Sequence, residues 1–371
     1  MRRLVCCMAA AASLAALSGC GLDMPGMPDG RGTFLVTVAD TSGLFPGSVA
    51  GEPFYLDSVE VRLDSRTHMF GAVQTTNEAG VTCFDHLATG SYSVFARREI
   101  LLGSAKKTFT GSFTALIMGD KTLSDTLVVN LINSSQLMIN EIYYMGSCAS
   151  TFYFYDQFCE LYNSSNDTLY LDGCIVTRQL GTIDPEMEQK DYVTAIYAFQ
   201  FPGTPVTGRE YPIYPKQLLA IAQDAVNHSR YCSASIDLTN ADWEFFNQLG
   251  SDYDNLLVPN LLNIIPNKTT DWMISLGHNA VVIATGEEYT IDSDNHVRLP
   301  ISTVIDGVEY SANSSSSKEL TVRVDAGFAG INLVKYGGQS TERRELGLDT
   351  NDSTFDFWNP PYPTPGYYYA H

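Results

Sequence analysis

The chain has 371 residues, 42 of them acidic and 22 basic, for a formal net charge of −20, and only 17% of its residues are charged. No basic run occurs, and phosphate backbones need clustered Lys and Arg, so the charge argues against a nucleic-acid partner. The length suffices for a sizeable core in two or three domains, and low charge combined with 21 Tyr fits extracellular β-structure better than disorder.

Arg2-Arg3 and the apolar Leu4–Leu17 have the form of a secretory signal, too short to span a bilayer. Leu17-Ser18-Gly19-Cys20 resembles the lipobox of bacterial lipoproteins, which implies that Cys20 is lipidated and becomes the mature N-terminus. Residues 1–20 are therefore expected to be a lipoprotein signal peptide, and 21–32, rich in Gly and Pro, a flexible tether. Asp23 does not directly follow the lipid Cys, which argues for the outer membrane, on its periplasmic or surface face. Five cysteines then remain: Cys83, Cys148, Cys159, Cys174 and Cys232. The odd number leaves at least one thiol free or paired between chains. Cys159 and Cys174 fall on adjacent predicted strands and are the expected disulfide, with two small buried thiols as the plainer alternative.

Strands follow one another across 33–134. Val59, Val61 and Leu63 alternate with Glu60, Arg62 and Asp64, which predicts one buried and one wet face. Gly80, Phe84, Leu87, Gly90, Tyr92 and Val94 resemble, by order and spacing, the carboxypeptidase-regulatory-like and transthyretin-like modules. The two glycines are expected at turns of positive φ, with the four apolar residues in the core.

From 137 to 371 a second β-domain is expected. Leu137–Tyr143, Phe158–Tyr162 and Leu169–Ile175 have strand composition, with Asn163–Asp167 as a turn. Ile139-Asn140-Glu141-Ile142, then Glu160-Leu161-Tyr162-Asn163, then Leu171-Asp172-Gly173 resemble the lamin-tail domain, an immunoglobulin-like β-sandwich. Cys174 departs from it by standing where the family usually has Trp. Asp306–Tyr310 and Asp349–Asn359 resemble later segments of the same domain. Between the Leu171-Asp172-Gly173 element and these later segments, about 224–267 is expected to be a partly helical insertion, with Thr239 or Asn240 as the cap of a short helix. The fold class is thus all-β, two immunoglobulin-like β-sandwiches. The pairing of the two modules resembles a domain-of-unknown-function family of bacterial surface lipoproteins, the 4876 type.

No nucleophile elbow or P-loop is present. Ser315–Lys318 matches S-x-x-K by letters only, and His86 and His278 are isolated. Glu141 and Glu160, on neighbouring predicted strands, are the one carboxylate pair suited to acid–base work. Hydrogen bonding to loop backbone is the favoured role for them. Asp349, Asn351, Ser353 and Asp356 alternate oxygen ligands as calcium prefers, and Asp292, Asp294 and Asn295 form a weaker set; Asx-turn capping competes at both. Phe152, Tyr153, Phe154 and Tyr155 form an aromatic run that, in a strand, would leave about half its rings exposed for stacking. Coverage of a sheet is the plainer reading.

These features point to a non-enzymatic, lipid-anchored envelope protein with a binding or assembly role and no cofactor, calcium excepted. The first alternative is a carbohydrate-binding surface lipoprotein serving an outer-membrane nutrient importer. The second is a hydrolase with an unfamiliar site.

Overall fold

The computed structural model describes residues 30–65, 71–102, 105–132 and 135–368. Cys20 and the lipobox lie outside the described residues. The described residues form two compact units, one of those up to Glu99 together with Phe109–Asn130, the other of those within Ile100–Thr108 together with those from Leu131 onward. Almost all regular structure is β.

In the first unit, Gly32–Asp40 pairs antiparallel with Val81–Leu87 and parallel with Thr122–Ile132. Val59, Val61 and Leu63 are fully buried beside exposed Glu60 and half-buried Arg62 and Asp64. Phe84, Leu87, Tyr92 and Val94 are buried as their pattern implies, and Tyr92 donates its hydroxyl to Ala88 O at 3.0 Å. Gly80 has φ +74°, and a Cβ there would lie 2.9 Å from that of Tyr55. Gly90 instead opens the strand Gly90–Leu102 without a positive φ, and His86 takes the left-handed conformation (φ +58°). The register shifts between Gly32 and Phe34, where Val81–Leu87 pairs, and His86 sits in that irregularity.

The second unit is built on one long ribbon of strands. Its order is Val304–Ser311, His278–Ala284, Ile175–Gln179, Tyr192–Gln200, Asn260–Asn263, Trp243–Phe246, Leu218–Ala222, Phe158–Asn163, Leu137–Tyr143, Thr341–Arg343 and Phe357–Trp358. Val176, Phe199, Val281, Ile283 and Val308 from one end share a core with Ile139, Ile142, Cys159, Leu161 and Ile221 from the other, so the ribbon folds over on itself. Trp272 fills the fold-over, stacked on Phe245 at 4.0 Å and edge-on to Phe199 at 5.7 Å.

Three expectations need correction. Within 224–267 helical bonding is confined, among the described residues, to the 3-10 turn His228–Arg230. Trp243–Phe246 and Asn260–Asn263 are strands, because Trp and Phe bury well on a pleated surface between two neighbours. Thr239 caps nothing; its N–H closes an Asx turn on Asp237 Oδ1 at 3.0 Å. The stretch expected as Leu169–Ile175 is broken by the Asp172-Gly173 turn into Leu169–Tyr170 and Ile175–Gln179. Asp172 there accepts the N–H groups of Glu210 and Tyr211, each at 3.0 Å, and Gly173 has φ +68° with Pro205 against its Cα.

The third correction is the disulfide. Cys159 and Cys174 are free, buried thiols, and the bridge joins Cys148 to Cys232. The strands next to Cys159 are Leu137–Tyr143 and Leu218–Ala222, whereas Cys174 precedes a strand flanked by Tyr192–Gln200 and His278–Ala284. Both thiols serve as small apolar groups in the shared core, and burial pushes each pKa upward. Non-reducing peptide mapping is expected to recover one 148–232 linked pair, with Cys159 and Cys174 alkylated only after unfolding. A 159–174 peptide would contradict this fold.

Candidate functional site

The carboxylates singled out by sequence lie inside the second unit. Glu160 and Glu342 stand directly opposite Glu141 on its two neighbouring strands, so three glutamates form a row across the sheet. All three are fully buried. Glu141 accepts the Thr364 N–H at 3.1 Å and its hydroxyl at 3.1 Å, and also the Ser340 hydroxyl. Glu160 accepts the Gly366 N–H at 2.6 Å and the Asn140 amide at 2.9 Å. The row thus holds the closing segment Pro363–Gly366 to the sheet, which is the backbone-holding role favoured above.

Burial pushes Glu141 up to about 8, opposed by the Ser340 hydroxyl and reinforced by the charge of Glu342. Burial, then the charge of Glu141, raises Glu160 well above the ordinary range. A carboxyl with a folded pKa near 8, against 4.5 ordinarily, binds an extra proton in the native state throughout that interval. Its contribution to stability is therefore full at acid pH and is lost as pH rises through about 8.

The four proposed calcium ligands do not converge on a cation site. Arg343, 1% exposed, occupies that place. Its guanidinium lies 3.4 Å from Asp349 Oδ1, 3.2 Å from Asp356 Oδ2 and 3.0 Å from Asp306 Oδ2. Asn351 gives its N–H to Asp349 at 3.2 Å, and Ser353 turns away to Asp325 at 2.6 Å. A cationic side chain has satisfied the carboxylates that the alternating pattern suggested for a metal. Asp292 and Asp294 gather with His296, but Asp292 Oδ1 accepts the N–H groups of Asp294 (2.9 Å) and His296 (3.0 Å) in an Asx turn, and its Oδ2 meets Arg298 at 3.2 Å. Lys318 of the S-x-x-K match pairs with Glu309 at 2.6 Å, and His278 bonds the same carboxylate at 2.7 Å. His86 is exposed.

The aromatic run is a loop, not a strand. Tyr153 makes one isolated bridge to Cys148, and Phe152 has φ +52°. Phe152 is 66% and Tyr155 45% exposed. Tyr153 stacks on Tyr231, itself 65% exposed, with ring centroids 5.9 Å apart and planes 18° from parallel. Phe154 stacks on Tyr155 at 4.8 Å, and Phe152 meets Tyr336 edge-on at 5.5 Å.

The surface is rigidly backed. The Cys148–Cys232 bridge ties the loop to the residue after Tyr231. Buried Asp156, ending the run, accepts hydroxyls from Ser147 at 2.7 Å, Tyr143 at 3.2 Å and Ser235. Buried His228 donates Nε2–H to Asp224 O at 2.9 Å, leaving Nδ1 to accept the Tyr153 hydroxyl at 2.7 Å. Burial lowers the His228 pKa, which suits this neutral form. Tyr231 and Tyr336 escaped the sequence reading; the one local signal for Tyr231 was its neighbour Cys232.

Residues 215–364 match the family model "Protein of unknown function (DUF4876)". A crystal structure of a DUF4876 family protein from Bacteroides thetaiotaomicron is similar over 88% of this chain and 94% of that chain, at 23% identity and a TM-score of 0.53, which shows a shared fold. A proposed carbohydrate-binding protein from Pseudomonas aeruginosa overlaps 29% of this chain and 99% of its own length at 15% identity; its TM-score of 0.22 carries no argument. No curated protein matches the chain.

Two variants check the glutamate row. Glu141→Ala leaves the buried Thr364 N–H without an acceptor and is expected to cost about 1–3 kcal/mol in denaturant unfolding. Glu141→Gln retains most stability and makes the decline in unfolding midpoint from about pH 5 to about pH 9 shallower than in the wild type. An unchanged slope would contradict the raised pKa.

Proposed function

We propose that this chain is a non-enzymatic, lipid-anchored protein of the bacterial outer membrane that binds glycans on the aromatic platform around Tyr153 and Tyr231. The observation that carries the reading is the platform itself: Phe152, Tyr155 and Tyr231 are exposed together, and stacking, a disulfide and buried hydrogen bonds hold them in place. Exposed aromatic rings gathered in one patch are uncommon unless they meet a partner. A sugar ring presents an apolar C–H face to an aromatic plane and hydroxyls to a phenol, and Tyr supplies both surfaces. A prefixed platform also avoids much of the ordering cost on binding. The burial of Glu141 and Glu160, with their oxygens committed to the closing segment, supports the non-enzymatic part.

A glycan array probed with the purified protein is expected to yield at least one ligand class, and Tyr231→Ala and Phe152→Ala are each expected to weaken it about tenfold, about 1.4 kcal/mol. Unfolding midpoints should stay near wild type, because both rings are largely exposed. An array without any hit, or platform variants that bind unchanged, would overturn the assignment. The anchor has its own check: mass analysis of the mature N-terminus is expected to find a lipid-modified Cys20, lost in Cys20→Ser.

A further inference from the structure

Three aspartates outside the platform converge at one edge of the second unit. Leu218–Ala222, Trp243–Phe246 and Asn260–Asn263 run parallel, so their C-terminal ends open on the same side. The segments that leave those ends carry Asp224, Asp252 and Asp271 in turn. One carboxylate oxygen from each lies within 4.8 Å of the others. Ligands commonly collect beyond the carboxyl ends of parallel strands, where successive loops meet.

The hydrogen bonds around the cluster leave oxygens to spare. Asp252 accepts the N–H of Asn247 at 2.7 Å and of Tyr253 at 2.9 Å. Asp271 Oδ2 accepts the Gln223 amide at 2.8 Å. Asp224 Oδ1 and Asp271 Oδ1 are buried and meet no donor. No Lys, Arg or His forms an ion pair with the three, among the described residues. An independent observation comes from Gln223. Its side chain is 0% exposed and ends on this cluster, yet its Oε1 has no hydrogen-bond partner. A buried amide oxygen without a donor is costly unless something positive faces it.

We propose that Asp224, Asp252, Asp271 and the Gln223 amide oxygen form a divalent-cation site that takes Ca2+. The donors are all oxygen, three carboxylates and one amide carbonyl, which is the set hard cations select; the absence of nitrogen and sulfur ligands disfavours zinc. Three ligands on separate loops suit the flexible geometry of calcium more than the strict octahedron of magnesium. The three carboxyl groups crowd within 4.8 Å of one another and repel when ionised, a repulsion that a divalent cation relieves. Glu244, on the middle of the three strands, is committed elsewhere, accepting the N–H groups of Ala225 at 2.6 Å and Asn255 at 2.8 Å.

The test is independent of the glycan reading, because it measures metal binding with no sugar present. The purified full chain, stripped with EDTA, is titrated with CaCl2 by calorimetry and melted with and without the ion. One Ca2+ per chain is expected, with Kd at or below about 1 mM, the range of extracellular sites, and a higher unfolding midpoint in calcium. Asp252→Asn and Asp271→Asn should each weaken binding at least about tenfold, close to the loss of one charged ligand. These changes relieve repulsion in the metal-free protein, so the variants are expected to fold; Asp224→Asn stands in should either fail. Asp292→Asn, in the other acidic cluster, should bind as wild type. The proposal is overturned by absence of both heat and a midpoint shift at about 10 mM Ca2+, or by binding that survives the triad substitutions, or by binding lost in Asp292→Asn.

Discussion

The buried guanidinium of Arg343 is the constraint on which the second unit turns. It reaches Asp306 on a late strand and Asp349 and Asp356 in the stretch before Phe357–Trp358, and its Nε–H donates to Ile139 O on the first strand of the unit at 2.8 Å. Asp306 in turn accepts the Ile139 N–H at 2.7 Å. Segments about 200 residues apart in sequence are thereby brought to one charge. Taking charge out of water costs several kcal/mol per ion, so the cluster is tolerable only with all its members in place. Such an arrangement selects one register more than it adds raw stability.

Next to this cluster, the glutamate row works by the same logic with the opposite sign. Three carboxyl groups in line across a sheet would repel if ionised, and burial keeps Glu141 and Glu160 toward their protonated forms. Their oxygens then satisfy the N–H groups of Thr364 and Gly366, which would otherwise be orphaned under the closing segment. The row thereby holds the proline-rich Pro363–Gly366 segment against the sheet.

In the middle of the ribbon the parallel strands Leu218–Ala222, Trp243–Phe246 and Asn260–Asn263 join its two halves. They do two jobs. Trp243, Phe245 and Leu261 close the core, and the loops that leave the strands carry His228, Tyr231 and the three aspartates. His228 ties the two features together, accepting the Tyr153 hydroxyl on one side and donating to the backbone oxygen of Asp224 on the other. The aromatic platform and the acidic cluster therefore share one backing.

What the sequence determined by itself was local. Alternation at Val59–Asp64 and the strand composition of Leu137–Tyr143 follow from side-chain chemistry within a few residues, so the all-β class and most strands were legible. The glutamates were legible as a pair because their role travels with the strand pattern around them. Only the tertiary structure decided the rest. Cys148 found Cys232 across 84 residues because the fold places the aromatic loop beside the 3-10 turn, and no spacing encodes that meeting. Asp349 and Asp356 have the spacing of cation ligands, but which cation they meet depended on where Arg343 arrives. Trp243–Phe246 became a strand because parallel neighbours were waiting on both sides, a tertiary reward that local propensity does not contain. Tyr231, Tyr336 and Gln223 carry no motif at all; they matter through the side chains that long-range pairing brings to them.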